Sequence, residues 1–345
     1  MTSSPNAGTK PLRMVIAGGS GHLGRLIARH FDRRGHAVTV LSRTPRAAPW
    51  RVVLWDGENY GPWMGELDGA DVLLNLAGRS VDCRYSAAHR REILDSRVKS
   101  TRILGQAIRP LADPPRLWMN ASTATVYRHS LDQAMCESGE QGGSERGVAS
   151  TWRFSVEVAK AWEASFFGAH SPGTRKVALR SAMVMGTGRG GPFEILLRLV
   201  RLGLGGSAGA GTQFVSWVHE SDFVRTIEYL IPNQDIDGVV NVAAPHPLPN
   251  NDFMRTLRAA WGRRFGIPAQ KWVLELAAVF LRTETELILK SRRVVPGRLL
   301  DHGFQFEFPE WAAAAEDLVR RWRNSRTSRV SRTMGDLFAR VSLPR

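Results

Sequence analysis

The sequence predicts an α/β fold: a doubly wound parallel sheet with a smaller, mostly helical C-terminal substrate subdomain. Three observations predict it. A short apolar run enters a glycine-rich turn at Val15-Ile16-Ala17-Gly18-Gly19-Ser20-Gly21-His22-Leu23-Gly24. Strand-like and helix-like segments then alternate through the first half, the rhythm of a parallel sheet covered on both faces. Past His246-Pro247 the pattern turns helical, with Trp261, Trp272 and Trp311 as packing anchors.

The first strand ends at Ala17. Gly18 permits the tight turn out of it, Gly21 lets the backbone approach a pyrophosphate, and Gly24 lets the following helix pack closely. That helix, patterned from Arg25 to Asp32, offers free N–H groups and a positive dipole end to phosphates. Gly18, Gly19, Ser20, Gly21, His22, Leu23 and Gly24 are therefore candidate cofactor contacts. The second strand, His36 to Leu41, ends at Ser42-Arg43-Thr44. A site selective for NAD places an acid there to hold the ribose 2′-hydroxyl. A guanidinium instead pairs with a 2′-phosphate that a carboxylate would repel. Ser42 and Arg43 thus point to NADP(H), the alternative being that Arg43 is a solvated surface residue.

Val52 to Trp55 reads as a third strand and Asp71 to Leu76 as a fourth. Arg90 to Ile108 reads as a helix, Leu117 to Ala121 as a fifth strand, Trp152 to Phe167 as a long helix and Lys176 to Leu179 as the next strand. Ligands of such sheets bind at the carboxyl ends of the strands. Asn75 to Gly78, Ser122-Thr123 and the segment from Arg180 lie there. Gly203 to Gly211 reads as a flexible, glycine-dense loop of the kind that carries function.

At 345 residues and 43% hydrophobic content, the chain holds a large core arranged as two subdomains. Residues 1–11 are expected to be disordered, 12–245 to form the nucleotide-binding domain with a glycine-rich insertion near 186–215, 246–323 to form the helical domain, and 324–345 to form a basic, partly disordered tail. No apolar stretch of about 18 residues suggests a membrane span. Met1 to Lys10 lacks the apolar core of a signal peptide. Cys83 and Cys136 form neither a disulfide framework nor a metal spacing, so no metal is expected and a reduced, cytoplasmic setting fits. The net charge is +15, and Arg320 to Arg345 holds eight arginines against one acid, Asp336. No nucleic-acid-binding motif accompanies them, so specific nucleic-acid binding is not expected. The remaining partners are an unidentified small-molecule substrate and, compatibly with all of this, a second copy of the chain.

Taken together, the motifs resemble the extended short-chain dehydrogenase/reductase superfamily, and within it the atypical epimerase-family branch with a DUF1731-like helical C-terminal domain. The resemblance covers roughly Met14 to Arg321. It rests on the glycine turn, Asn75-Leu76-Ala77-Gly78, Ser96-Arg97, Leu202 to Gly206, Ser216-Trp217-Val218-His219, Asn241 to Pro245, Pro296 to Leu300 and Gly303 to Phe306. It implies a Rossmann fold that binds NADP(H), with Leu76, Ala77 and Gly78 beside the nicotinamide half. It also implies cofactor contacts at Glu92 and Arg97, at Ser122, and at the backbone of Val184. Glu92 and Arg97 equally suit an ion network on a helix surface.

Members of the superfamily use a Ser or Thr hydroxyl with Tyr and Lys spaced Tyr-x-x-x-Lys on a helix, the lysine lowering the tyrosine's pKa. Ser122-Thr123-Ala124-Thr125-Val126-Tyr127 resembles the hydroxyl motif, with Thr123 on the catalytic position. The helix has no tyrosine: counting back from Glu163, Ser155 and Ala159 occupy the Tyr and Lys places. Lys160 lies about 100° away around the helix and reads as a surface lysine. Tyr127 is read two ways, as a substitute proton donor and as a core tyrosine. His219 reads as structural and Asp222 as the N-cap of a helix from Phe223 to Ile231. The leading function is an NADP(H)-dependent oxidoreductase or epimerase-like enzyme; the alternative is a non-catalytic NADP(H)-binding or sensing protein.

Overall fold

The computed structural model describes residues 10–269 and 289–341. Eleven strands lie among them: β1 (Arg13–Ala17), β2 (Ala37–Ser42), β3 (Arg51–Leu54), β4 (Val72–Asn75), β5 (Leu117–Thr123), β6 (Arg175–Ser181), β7 (Met183–Met185), β8 (Phe214–Val215), β9 (Trp217–His219), β10 (Gly238–Val242) and β11 (Leu248–Pro249). Seven form one sheet in the order β10-β6-β5-β4-β1-β2-β3, every pairing parallel. Strand order reverses between β1 and β4, which opens a crevice at their carboxyl ends.

The strands hold their place because successive side chains enter two different cores. Ile16 packs with Ile27 and Phe31 of α1 (His22–Arg33) and with Phe223 and Ile227 of α5 (Glu220–Leu230). Its neighbours Val15 and Ala17 face the opposite way, onto Ile103 and Leu104 of α2 (Ala87–Ile108) and Phe166 of α3 (Ser150–Phe167). Leu74 and Met119 share the first core, Leu73 and Trp118 the second. A slip of one residue would exchange the two sets, so both cores specify the register. The helix patterned from Arg90 starts three residues earlier because the Ser86 hydroxyl accepts a hydrogen bond from the His89 N–H at 3.3 Å and caps it.

A third core joins α4 (Pro192–Arg201), α6 (Asn250–Trp261) and α8 (Trp311–Val341), while the short α7 (Gly297–Asp301) sends Leu299 into the first core. Trp311 is its anchor: it stacks on Phe253 with ring centroids 4.1 Å apart and donates to the Phe253 carbonyl at 2.9 Å. Trp261 is half-buried, and Trp272 lies outside the described residues. β7 pairs with β9 and β8 with β11, forming two small sheets separate from the main one. Among the described residues, no helix is long and apolar enough to cross a membrane.

Three expectations change. The basic segment past residue 324 continues α8 to Val341 rather than turning irregular; arginine is a good helix former and the first proline after Trp311 is Pro344. The loop from Gly203 to Gly211 is pinned rather than loose. Gly206 and Gly209 donate to the Ile267 and Ala269 carbonyls, while Ile267 and Ala269 donate back to Gly203 and Ser207. Asp222 is not the helix cap. His219 holds that position, its Nδ1 accepting from the Ser221 N–H at 3.1 Å. Asp222 sits in the first turn and accepts from the Glu307 and Phe308 N–H groups. The segment 1–11 lies mostly outside the described residues.

Candidate cofactor and active site

The turn after β1 and the turn after β4 meet at the crevice. Gly18 takes φ +73, and a Cβ on it would lie 2.7 Å from the Ala77 Cα. Only glycine lets the two turns touch with this backbone. The next turn begins α1 at Gly21, with no side-chain cap and no acid in the first turn. Its first N–H groups and positive dipole end are therefore available to an anion. A Cβ on Gly21 would meet nothing nearer than the Gly18 carbonyl at 4.0 Å, so the space in front of the helix is open. Gly24 differs: its Cβ would lie 2.4 Å from the Gly19 Cα, so it serves the packing of the turn itself. His22 stands beside this entrance, its Nε2 3.5 Å from Glu220 Oε2.

At the end of β2, Ser42 is buried and its hydroxyl accepts from the Thr44 N–H at 3.2 Å. That bond shapes the turn which leaves Arg43 exposed. Arg46, exposed on the same loop, adds a second cation that the sequence pattern did not single out. No acid occupies the ribose position, so this edge suits a 2′-phosphate and the residues present fit NADP(H).

Beyond β4, Asn75 is fully buried. Its amide donates to Asn120 Oδ1 at 2.7 Å and Thr101 Oγ1 at 3.2 Å, while its own Oδ1 accepts from the Ala77 N–H at 3.0 Å. This network fixes the Leu76-Ala77-Gly78 turn against the sheet. Arg97 reaches that turn from α2. Its guanidinium donates to the Arg79 and Ile93 carbonyls and lies 5.1 Å over the Trp162 ring. Burial pulls its pKa down to about 10, which still leaves it charged at neutral pH. Glu92 does not join it. It pairs with Arg79 on the helix surface and is half exposed.

Ser122 and Thr123 end β5 at the same edge, and Val184 follows β6 in β7. Thr123 Oγ1 accepts from the Thr125 N–H at 3.2 Å, which orients the hydroxyl and leaves its proton free to donate. Lys290, not singled out by sequence, enters from the C-terminal region and donates to the Thr125 carbonyl at 2.8 Å. The Ser122 hydroxyl points the other way, donating to Glu163 Oε1 at 2.6 Å.

Tyr127 resolves to the core reading. Its ring packs among Val126, Met135, Ala159 and Val294, and its hydroxyl is engaged on both sides. It donates to Asn241 Oδ1 at 2.7 Å and accepts from Arg180 Nη1 at 2.9 Å. Burial raises its pKa although Arg180 opposes this, the wrong direction for a proton donor that must form a phenolate. The Arg180 guanidinium is held by both oxygens of Glu163, at 2.8 and 2.7 Å. Glu163, Arg180 and Asn241 come from a helix and two strands distant in sequence, so no local spacing marks them as a unit. Tyr127→Phe is expected to lower folding stability by about 1–3 kcal/mol, because a buried Asn241 oxygen loses its donor. Thermal or urea unfolding checks this; an unchanged midpoint would place the hydroxyl outside the network.

Lys160 is exposed and donates to the Gly142 carbonyl at 2.9 Å, a surface role. His219 is fully buried. With Nδ1 accepting the Ser221 N–H, its proton lies on Nε2, 3.3 Å from Asp317 Oδ2. Burial lowers its pKa, with Arg321 adding to the effect, so it is a neutral structural histidine.

Residues 14–243 match the model of the NAD dependent epimerase/dehydratase family, and residues 271–318 match the domain of unknown function DUF1731. The human epimerase family protein SDR39U1 is 33% identical over 313 residues, spanning 89% of this chain and 100% of that protein. The crystal structure of human SDR39U1 isoform 2 with NADPH superposes with a TM-score of 0.78 at 32% identity, covering 90% of this chain and 99% of that one. A nucleoside-diphosphate sugar epimerase from Corynebacterium glutamicum gives a TM-score of 0.70 at 26% identity, covering 96% of this chain and 68% of that one.

Proposed function

Because the chain belongs to the NAD-dependent epimerase/dehydratase family, we propose that it binds NADP(H) and acts as an oxidoreductase or epimerase on a small molecule held beneath the C-terminal helices. The observation that carries this reading is the uncapped, acid-free start of α1 facing open space beside the Ser42-Arg43 edge. NADP(H), when bound, supplies hydride transfer. The residues of this chain do the rest. The α1 N-terminus binds the pyrophosphate, Arg43 the 2′-phosphate, and Arg97 adds a fixed positive charge near the Leu76-Ala77-Gly78 turn. Thr123 presents a hydroxyl able to donate to a substrate oxygen at the carboxyl edge of β5.

Wild-type protein is expected to prefer NADPH over NADH, and Arg43→Ala to lose roughly 10- to 150-fold in NADPH affinity, the worth of a charge-assisted contact of about 1.5–3 kcal/mol. Fluorescence titration with both cofactors measures it, and equal affinities in the wild type would sink the assignment. Turnover across a panel of carbonyl compounds and sugar nucleotides then tests the chemistry. Thr123→Ala should slow it by about 10²–10⁴-fold while Lys160→Ala leaves it unchanged.

One observation favours a second reading, a non-catalytic NADP(H) sensor. The helix positions of the usual Tyr and Lys hold Ser155 and Ala159, and Tyr127 lies in a sealed network. NADPH binding without turnover of any panel member would favour it.

A further inference from the structure

A groove of about 680 Å³ runs between α4, α6 and α8 and shares no lining residue with the glycine turn. Arg198 and Arg201 of α4, Arg263 just beyond α6 and Arg326 of α8 line it, against a single carboxylate, Glu194. That carboxylate is already engaged, accepting from the Gly190 N–H at 2.8 Å. Among the described residues, none of the four guanidiniums is paired with an acid.

Three of the four arginines are also held in place. Arg201 lies 4.7 Å over the Trp322 ring and 5.7 Å over Trp261. Arg326 lies 4.3 Å over Trp322, and Arg263 donates to the Arg201 carbonyl at 3.4 Å. Stacking on indole faces leaves the N–H edges of a guanidinium free and reduces the entropy lost when they bind. Four like charges converging on one groove repel each other unless an anion joins them. The ring faces are occupied by arginine, so the groove offers N–H forks and charge rather than a surface for stacking a base. Its volume is that of a small-molecule site.

We propose that this groove binds a compact, multiply charged phosphate ligand of the di- or triphosphate class, at a site separate from the cofactor crevice. Bidentate guanidinium–phosphate pairing is the recognition chemistry.

Calorimetric titration with inorganic tripolyphosphate tests it. One saturable site is expected, weakening as salt rises from about 50 to about 200 mM. Arg198→Ala/Arg326→Ala, which removes two exposed side chains, should weaken binding at least tenfold while melting like the wild type. Arg263→Glu, an exposed charge reversal, should do the same and serves if the double variant misfolds. Gly21→Val, which fills the pyrophosphate space before α1, should leave tripolyphosphate binding unchanged, which separates this groove from the cofactor site. Absence of saturable binding, wild-type affinity in the groove variants, or loss in Gly21→Val would each overturn the proposal. A single-stranded oligouridine that binds more than tenfold tighter than tripolyphosphate, and loses that affinity in the same variants, would overturn the compact ligand in favour of a nucleic-acid strand.

Discussion

Glu163→Ala is expected to cost about 3–5 kcal/mol of folding stability, the usual penalty for stranding one member of a buried ion pair. The Glu163 and Arg180 side chains are only 10% and 4% exposed. Burial by itself would lower the pKa of Arg180, but the two hydrogen bonds and the charge of Glu163 more than offset that and hold it above its ordinary value. Without the carboxylate, a guanidinium stays buried with only the Tyr127 hydroxyl and the Glu137 carbonyl, and Ser122 loses its acceptor. The damage spreads because the network is continuous. Asn241 takes the Tyr127 hydroxyl, and Glu137 accepts from the Asn241 N–H at 2.9 Å and from the Arg298 N–H at 3.1 Å. One cluster therefore ties β5, β6, β10 and α3 to α7. Urea unfolding at neutral pH measures the loss, and Glu163→Gln, which keeps an acceptor, should lose less. A change below about 1 kcal/mol would mean that the pair behaves like a screened surface bridge.

Gly21→Val is expected to take NADPH binding below detection while leaving the circular dichroism spectrum and the melting temperature near those of the wild type. The backbone at Gly21, φ −69 and ψ 176, is one that any residue adopts. Its Cβ would enter open space rather than protein. The substitution therefore fills only the volume a pyrophosphate needs. Gly24→Val is the contrasting control: its Cβ meets the Gly19 backbone, so it should destabilise the turn itself. NADPH fluorescence alongside circular dichroism separates the two, and a folded Gly21→Val that binds normally would show that the phosphate lies elsewhere.

The sheet was largely legible because its signals are local. The Val15–Ala17 run, the glycine turn and the apolar stretches at β4 and β5 each declare a strand or a strand end within a few residues. The parts that misled were those in which distant segments compete for one residue. Asp222 has the right chemistry for a helix cap, but two N–H groups from residues 307 and 308 claim it, and His219 caps the helix. The loop from Gly203 to Gly211 has a mobile composition and a fixed conformation, because the strand-like segment at residues 267–269 supplies its hydrogen bonds.

The amino-acid sequence by itself determined the fold class, the phosphate-binding turn and the absence of an acid at the ribose edge. Each follows from residue type and spacing along one short stretch, where sterics and charge act locally. Only the tertiary structure decided what Tyr127 is. Thr123 and Tyr127 are four residues apart and look equally able to donate a proton. Thr123 lies at the open carboxyl edge of the sheet, whereas the Tyr127 hydroxyl is enclosed by Arg180 and Asn241, 53 and 114 residues further along the chain. Burial and the partners of a hydroxyl are set by long-range packing, and they decide whether it meets a substrate or holds the core together.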